Sequence, residues 1–138
     1  MRAQGSVELL IILSGVMLAL LVIISTAYAQ LYSFQGRMGA GWAQAGVNEL
    51  ADAAARVYSS GPGSSARVFL EVPDNVEPGR VFVREHVINI GVKTSAGTRD
   101  INARTSAPVE GALPTQPGGS WINVVAYEGK VVISPESA

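Results

Sequence analysis

One carboxylate, Glu8, stands at the mouth of a charge-free run from Leu9 to Gly36. An unpaired acid in an apolar medium is strongly disfavoured, whereas an ammonium brought beside it neutralises it, although desolvation offsets much of the attraction. Such a pair sets register more than strength. The other reactive residue types offer less. His86 is the only histidine and cysteine is absent, so the common zinc-ligand sets cannot be assembled. Serines and acids are scattered without a Gly-x-Ser-x-Gly elbow, and a triad through His86 would need distant residues to converge. Gly39 and Gly41 follow no strand and precede no Lys-Ser/Thr, so they do not make a phosphate loop. The expectation is a protein that is not an enzyme, with no cofactor and no metal. The formal net charge of −1 shows no basic excess for a nucleic-acid partner.

The element that carries Glu8 is a hydrophobic helix. About 20 apolar residues suffice to cross a bilayer, and the run after Glu8 is longer. Ala27-Tyr28-Ala29 could mimic a secretory cleavage site, but the uncharged run exceeds the roughly 7–15 residues of an ordinary signal core. An uncleaved membrane anchor is the simpler reading of apolarity alone, with Glu8 a border residue favoured by the helix dipole. Arg2 lies on the short side, so the positive-inside tendency puts the N-terminus in the cytoplasm and the remainder outside.

The residues around Glu8 sharpen this. Arg2-Ala3 followed by Gln4-Gly5-Ser6-Val7-Glu8-Leu9-Leu10 resembles the class III signal sequence of archaeal type IV pilins. The resemblance implies that a prepilin peptidase cuts between Ala3 and Gln4, leaving Gln4 as the first mature residue and Glu8 as the fifth. It also implies that Glu8 pairs with the new terminal amine of a neighbouring subunit. The partners it implies are other copies of the subunit in a homopolymer, with the membrane as host before assembly. Two features depart from the commonest pattern: the leader is short, and Ala3 stands where glycine is also frequent. Archaellin is a related possibility that the Gln4-to-Glu8 segment fits less well.

Beyond Arg37 the pattern becomes amphipathic. Val47, Leu50, Ala54, Val57 and Tyr58 recur at helical spacing, with Asn48, Glu49, Asp52 and Arg56 on other faces. Asp52 and Arg56 also make an i,i+4 pair. One helix from about Ser6 to Tyr58 would be on the order of 75–80 Å long, about twice what a membrane needs. Gly36, Gly39, Gly41 and Gly46 fall where the two characters meet and imply a hinge or close packing. Among the apolar residues, Ser14, Gly15 and Ala19 are small enough to be helix contact points.

Ser59-Ser60-Gly61-Pro62-Gly63 ends the helix. Val68, Leu70 and Val72 then alternate with Arg67, Phe69 and Glu71 as a half-buried strand, and Asp74 to Gly79 reads as a turn. Val81 to Arg84 and Glu85 to Lys93 continue in strand-forming residues, with Ile88, Ile90 and Val92 on one face and His86 on a strand face or edge. Ser95-Ala96-Gly97 connects to a strand over Thr98 to Ala103. Trp121 to Tyr127 and Lys130 to Ser134 flank a Glu128-Gly129 hairpin turn. Pro108, Pro114 and Pro117-Gly118-Gly119 mark an irregular segment or edge strands. Trp121 and Tyr127 share a face and are expected to serve core or subunit packing rather than to bind a sugar.

The fold class read from this pattern is α+β: a long N-terminal hydrophobic helix followed by a small antiparallel sheet or sandwich of about six strands. The expected organisation is a leader (1–3), a membrane and filament-core helix (4–60), a linker (61–65) and a β-rich extracellular head (66–138). The function that follows is a structural subunit of an archaeal type IV pilus, serving adhesion. The alternatives are a single-pass surface protein whose head binds a ligand and, third, a membrane-tethered enzyme. No Asn-x-Ser/Thr occurs, so N-glycosylation is not expected.

Overall fold

The computed structural model describes residues 2–136. Met1 of the expected leader and residues 137–138 of the expected head lie outside the described residues. One α-helix, α1 (Arg2–Ser60), is followed by seven strands: β1 (Ser65–Val72), β2 (Val76–Arg84), β3 (Val87–Thr94), β4 (Gly97–Arg104), β5 (Val109–Gly111), β6 (Gly118–Tyr127) and β7 (Lys130–Pro135). The chain divides into two compact units, Met1–Gln35 and Gly36–Ala138.

The first unit is helix alone. Every residue from Arg2 to Gln35 is exposed, and α1 has the length and apolarity to cross a membrane. Four of its hydroxyls are satisfied by the helix itself. Ser14 donates to the Leu10 carbonyl (2.7 Å), Ser25 to Leu21 (2.8 Å), Thr26 to Val22 (2.9 Å) and Ser33 to Gln30 (2.9 Å). In a medium without water that internal bonding is what makes such residues tolerable.

The second unit packs the last turns of α1 on a curled seven-stranded sheet of order β1-β6-β7-β5-β2-β3-β4. Ala43, Val47, Leu50, Ala54 and Val57 join Val68, Leu70, Ile88, Ile90, Ile122, Val124, Val131 and Ile133 in one core. The α+β class and the helix-then-sheet order are as the sequence reads. All pairings are antiparallel except β5 with β7, which is parallel. The helix ends as expected, with Gly61 (φ 97°) and Gly63 (φ 88°) in left-handed conformations that side chains resist.

Several local expectations are corrected. Asp74 to Gly79 is not all turn: β2 starts at Val76, and Pro78-Gly79 sits where its pairing with β3 is broken between Glu77 and Phe82. A bulge spares proline the ladder bond it cannot donate. Glu85 and His86 are not strand residues but the two-residue turn between Arg84 and Val87, paired across β2 and β3. Tyr58 is 41% exposed rather than part of the core. Among the described residues, Asp52 and Arg56 belong to none of the ion pairs present.

The bulge leaves its mark in the core. Asn89, 4% exposed, donates from Nδ2 to the Arg80 carbonyl at 2.7 Å, supplying the partner that the interrupted ladder does not. The Arg80 side chain in turn lies over Gly91 and pairs with Asp100 at 3.1 Å.

Candidate assembly site and exposed sheet face

Ala3, Gln4 and Glu8 are all helical and exposed. α1 begins at Arg2 and has no acid in its first turn. The dipole explanation of Glu8 is therefore weak in the chain as it stands, because that effect fades within the first turn.

Helical geometry brings together residues that periodicity alone did not connect. At 3.6 residues per turn, Gln4, Glu8, Gly15, Ala19 and Thr26 fall within an arc of about 60°. This stripe holds the one acid of the first unit together with the small residues Gly15 and Ala19, and a β-carbon placed on Gly15 would meet nothing within 4 Å. Ser14 lies outside the arc, a quarter turn or so away, with its hydroxyl turned back onto its own helix. Of the small residues singled out for helix packing, Gly15 and Ala19 thus align with Gln4 and Glu8, and Ser14 does not. The signal was present in the sequence as an i, i+7, i+11 spacing from Glu8.

The glycines at the junction divide in role. A β-carbon at Gly46 would lie 2.6 Å from Leu70 Cδ1, and one at Gly39 would lie 3.4 Å from Pro73 Cβ, whereas Gly41 faces open space. Gly46 and Gly39 are close-packing positions of helix on sheet, and Gly36 is helical.

The outer face of the sheet carries Trp121 and Tyr127, for which the sequence offers core or subunit packing. On β6 the inward set is Ile122, Val124 and Ala126, all buried, which turns Trp121 (48% exposed) and Tyr127 (53%) outward. Core packing is therefore not their role within this chain. Trp121 pairs directly with Phe69 across β1 and β6, and their rings meet edge to face at 5.4 Å with planes 68° apart. The Arg67 guanidinium stacks 5.1 Å from the Trp121 centroid and pairs with Glu136. Gly119 is required beneath the Phe69 ring, which occupies the space of a β-carbon there.

His86 is held in its turn. Its Nδ1 lies 3.1 Å from the Ala107 carbonyl, and its own carbonyl accepts from the Thr105 amide at 2.9 Å. Among the described residues no three His, Asp or Glu side chains converge as a metal-ligand group.

A long N-terminal hydrophobic helix joined to a curled multi-strand sheet is the architecture shared by pilin-like proteins generally. Comparison of this chain with protein-family models, with characterised proteins and with solved structures finds no match.

Proposed function

We propose that the chain is a structural subunit of an archaeal type IV pilus, assembling through α1 into a surface filament that serves adhesion. The observation that carries this reading is the alignment of Gln4 and Glu8 with Gly15 and Ala19 along a helix whose residues 2–35 are all exposed within their own chain. A surface that apolar must be covered, first by lipid and then by neighbouring helices. Small residues on the Glu8 stripe let a second helix approach closely. The Gln4-to-Glu8 segment, similar to that of the archaeal pilins, adds the processing step: a prepilin peptidase releases residues 1–3, and the new amine of Gln4 meets Glu8 of a neighbour. Before assembly the same helix holds the subunit in the membrane, with the head outside the cell. No catalysis, cofactor or nucleic-acid partner enters this reading.

A second reading, a single-pass surface protein whose head binds a ligand, is favoured by the exposed Phe69, Trp121 and Arg67 cluster. The N-terminal mass of the native protein separates the two. A terminus at Gln4 in material recovered from surface filaments is expected. An intact Met1 terminus confined to membranes would count for the anchored surface protein, and a terminus after Ala29 would overturn both.

A further inference from the structure

The two edge strands of the sheet are not equally protected. β4 ends one side with Arg99, Asp100 and Arg104 along it, and its Asn102 carbonyl accepts from Gln44 of α1 at 3.1 Å. Charges and covering groups of that kind keep an edge from pairing with another chain. β1, at the other side, runs eight residues in unbroken register with β6, without proline or bulge. Among the described residues its outer edge makes no backbone hydrogen bond. Its centre is Val68-Phe69-Leu70, and Phe69 is 47% exposed.

We propose that this edge is an interaction surface for a second copy of the chain, the two β1 strands pairing antiparallel about a two-fold axis at Phe69. The segment is self-complementary in that register and in no neighbouring one. With Phe69 opposite Phe69, Arg67 stands opposite Glu71 of the second copy, and Glu71 opposite its Arg67. On the inner face Val68 meets Leu70, and Ala66 meets Val72. Moving the axis to Val68 or Leu70 sets Phe69 against Arg67 or Glu71 and leaves the charges unmatched. Opposite charges and aromatic pairs directly across two strands favour a register, and like charges oppose it. Glu71 is exposed and belongs to none of the ion pairs among the described residues. Arg67, beside Trp121 and Glu136, is already held on the face where Glu71 of the second copy would arrive.

The contact joins the two sheets into one and removes the exposed edge of each. It is closed and isologous, unlike the head-to-tail contacts that build an open helical filament. It therefore does not rest on the pilus reading.

The test uses the full chain, which has no native cysteine, in nonionic detergent micelles. Directly opposed Cα atoms on antiparallel strands lie about 4.5–5.5 Å apart, within disulfide reach. With copper phenanthroline, Phe69→Cys is expected to form a disulfide-linked dimer roughly tenfold or more faster than Tyr127→Cys, a similarly exposed position on the same sheet face. Adding Glu71→Arg to Phe69→Cys should slow dimer formation by a similar factor, and adding Arg67→Glu as well should restore it. Equal cross-linking of Phe69→Cys and Tyr127→Cys overturns the proposal, as does a rate indifferent to the charge changes.

Discussion

Gly46 of α1 lies against Leu70 of β1 so closely that a β-carbon on the glycine would stand 2.6 Å from Leu70 Cδ1. Leu70 is fully buried, so its methyl could make room only by moving within the core. In a solvated helix, Gly46→Ala would gain up to about 1 kcal/mol of helix stability. Here the gain is opposed by overpacking, which costs about 1–3 kcal/mol. The expected net result is a loss of about 1 kcal/mol, read as a fall in Tm of about 4–8 °C for a unit of this size. Unchanged or increased thermal stability would mean that helix and sheet are not packed this tightly. Gly41→Ala, facing open space, is the control expected to stabilise.

Asn89 and the β2 bulge make a second stability prediction. Asn89→Ala removes the only side-chain donor to the Arg80 carbonyl among the described hydrogen bonds, and leaves a gap in a buried row. An unsatisfied buried polar group costs about 1–3 kcal/mol, so denaturant unfolding should report a loss near 2 kcal/mol. A loss within the noise of a surface substitution would show that water replaces the amide, and that the bulge does not depend on it.

Glu85 has φ 52°, the one positive φ on a non-glycine residue among those described. It is the first residue of a two-residue hairpin turn, a place where glycine is favoured when φ is positive. Glu85→Gly relieves a cost of about 1–2 kcal/mol for left-handed backbone and gives back part of it in chain entropy. The expected outcome is a modest gain, up to about 1 kcal/mol, measured by the denaturant midpoint at constant slope. A loss would point to the Glu85 side chain making a contact that outweighs its backbone.

The same turn shows where the sequence stops being legible. Glu85-His86 carries no glycine, unlike Ser95-Ala96-Gly97 and Glu128-Gly129, so both residues read as strand-forming rather than as a turn. β5 was hidden for a different reason. It has three residues, and its partners on β7 lie 22 positions away, so no local alternation reveals it. Gly111, at φ 134°, closes on the Ile133 carbonyl where any side chain would collide. By contrast, β1 and the β6–β7 hairpin were plain from alternation and the Glu128-Gly129 turn. Alternation also put Trp121 and Tyr127 on one face, but which face is inward depends on where α1 packs, and that is tertiary. At the N-terminus the acid was legible at once. The stripe that joins it to Gly15 and Ala19 needed only the helical phase of residues already noticed.

That stripe predicts position-specific effects within a uniformly apolar helix. Ala19→Leu adds bulk on the Glu8 face and should sharply lower filament yield, since close helix approach depends on small side chains. Met17→Leu, about 160° away on the helical wheel, should leave yield near normal. Both variants stay apolar, so membrane insertion measured by carbonate extraction should not change. Equal yields from the two would remove the stripe from the assembly reading.

Glu8 itself gives the most direct test of the proposed function. Glu8→Ala deletes the one acid next to the apolar run without shortening the helix, so insertion into the membrane should persist or improve, an ionised group in lipid being unfavourable. Leader removal at Ala3-Gln4, read by mass, should also persist, because the cleavage residues are untouched. What should fail is assembly: processed subunit accumulates in the membrane fraction, and filaments on the cell surface fall to a small fraction of the normal number. Glu8→Gln separates charge from shape. If pairing with the Gln4 amine of a neighbour is what matters, Glu8→Gln should fail much as Glu8→Ala does, since an amide keeps the hydrogen bonds but not the countercharge. Full assembly by Glu8→Gln would reduce Glu8 to a hydrogen-bonding border residue, and full assembly by Glu8→Ala would remove it from the mechanism.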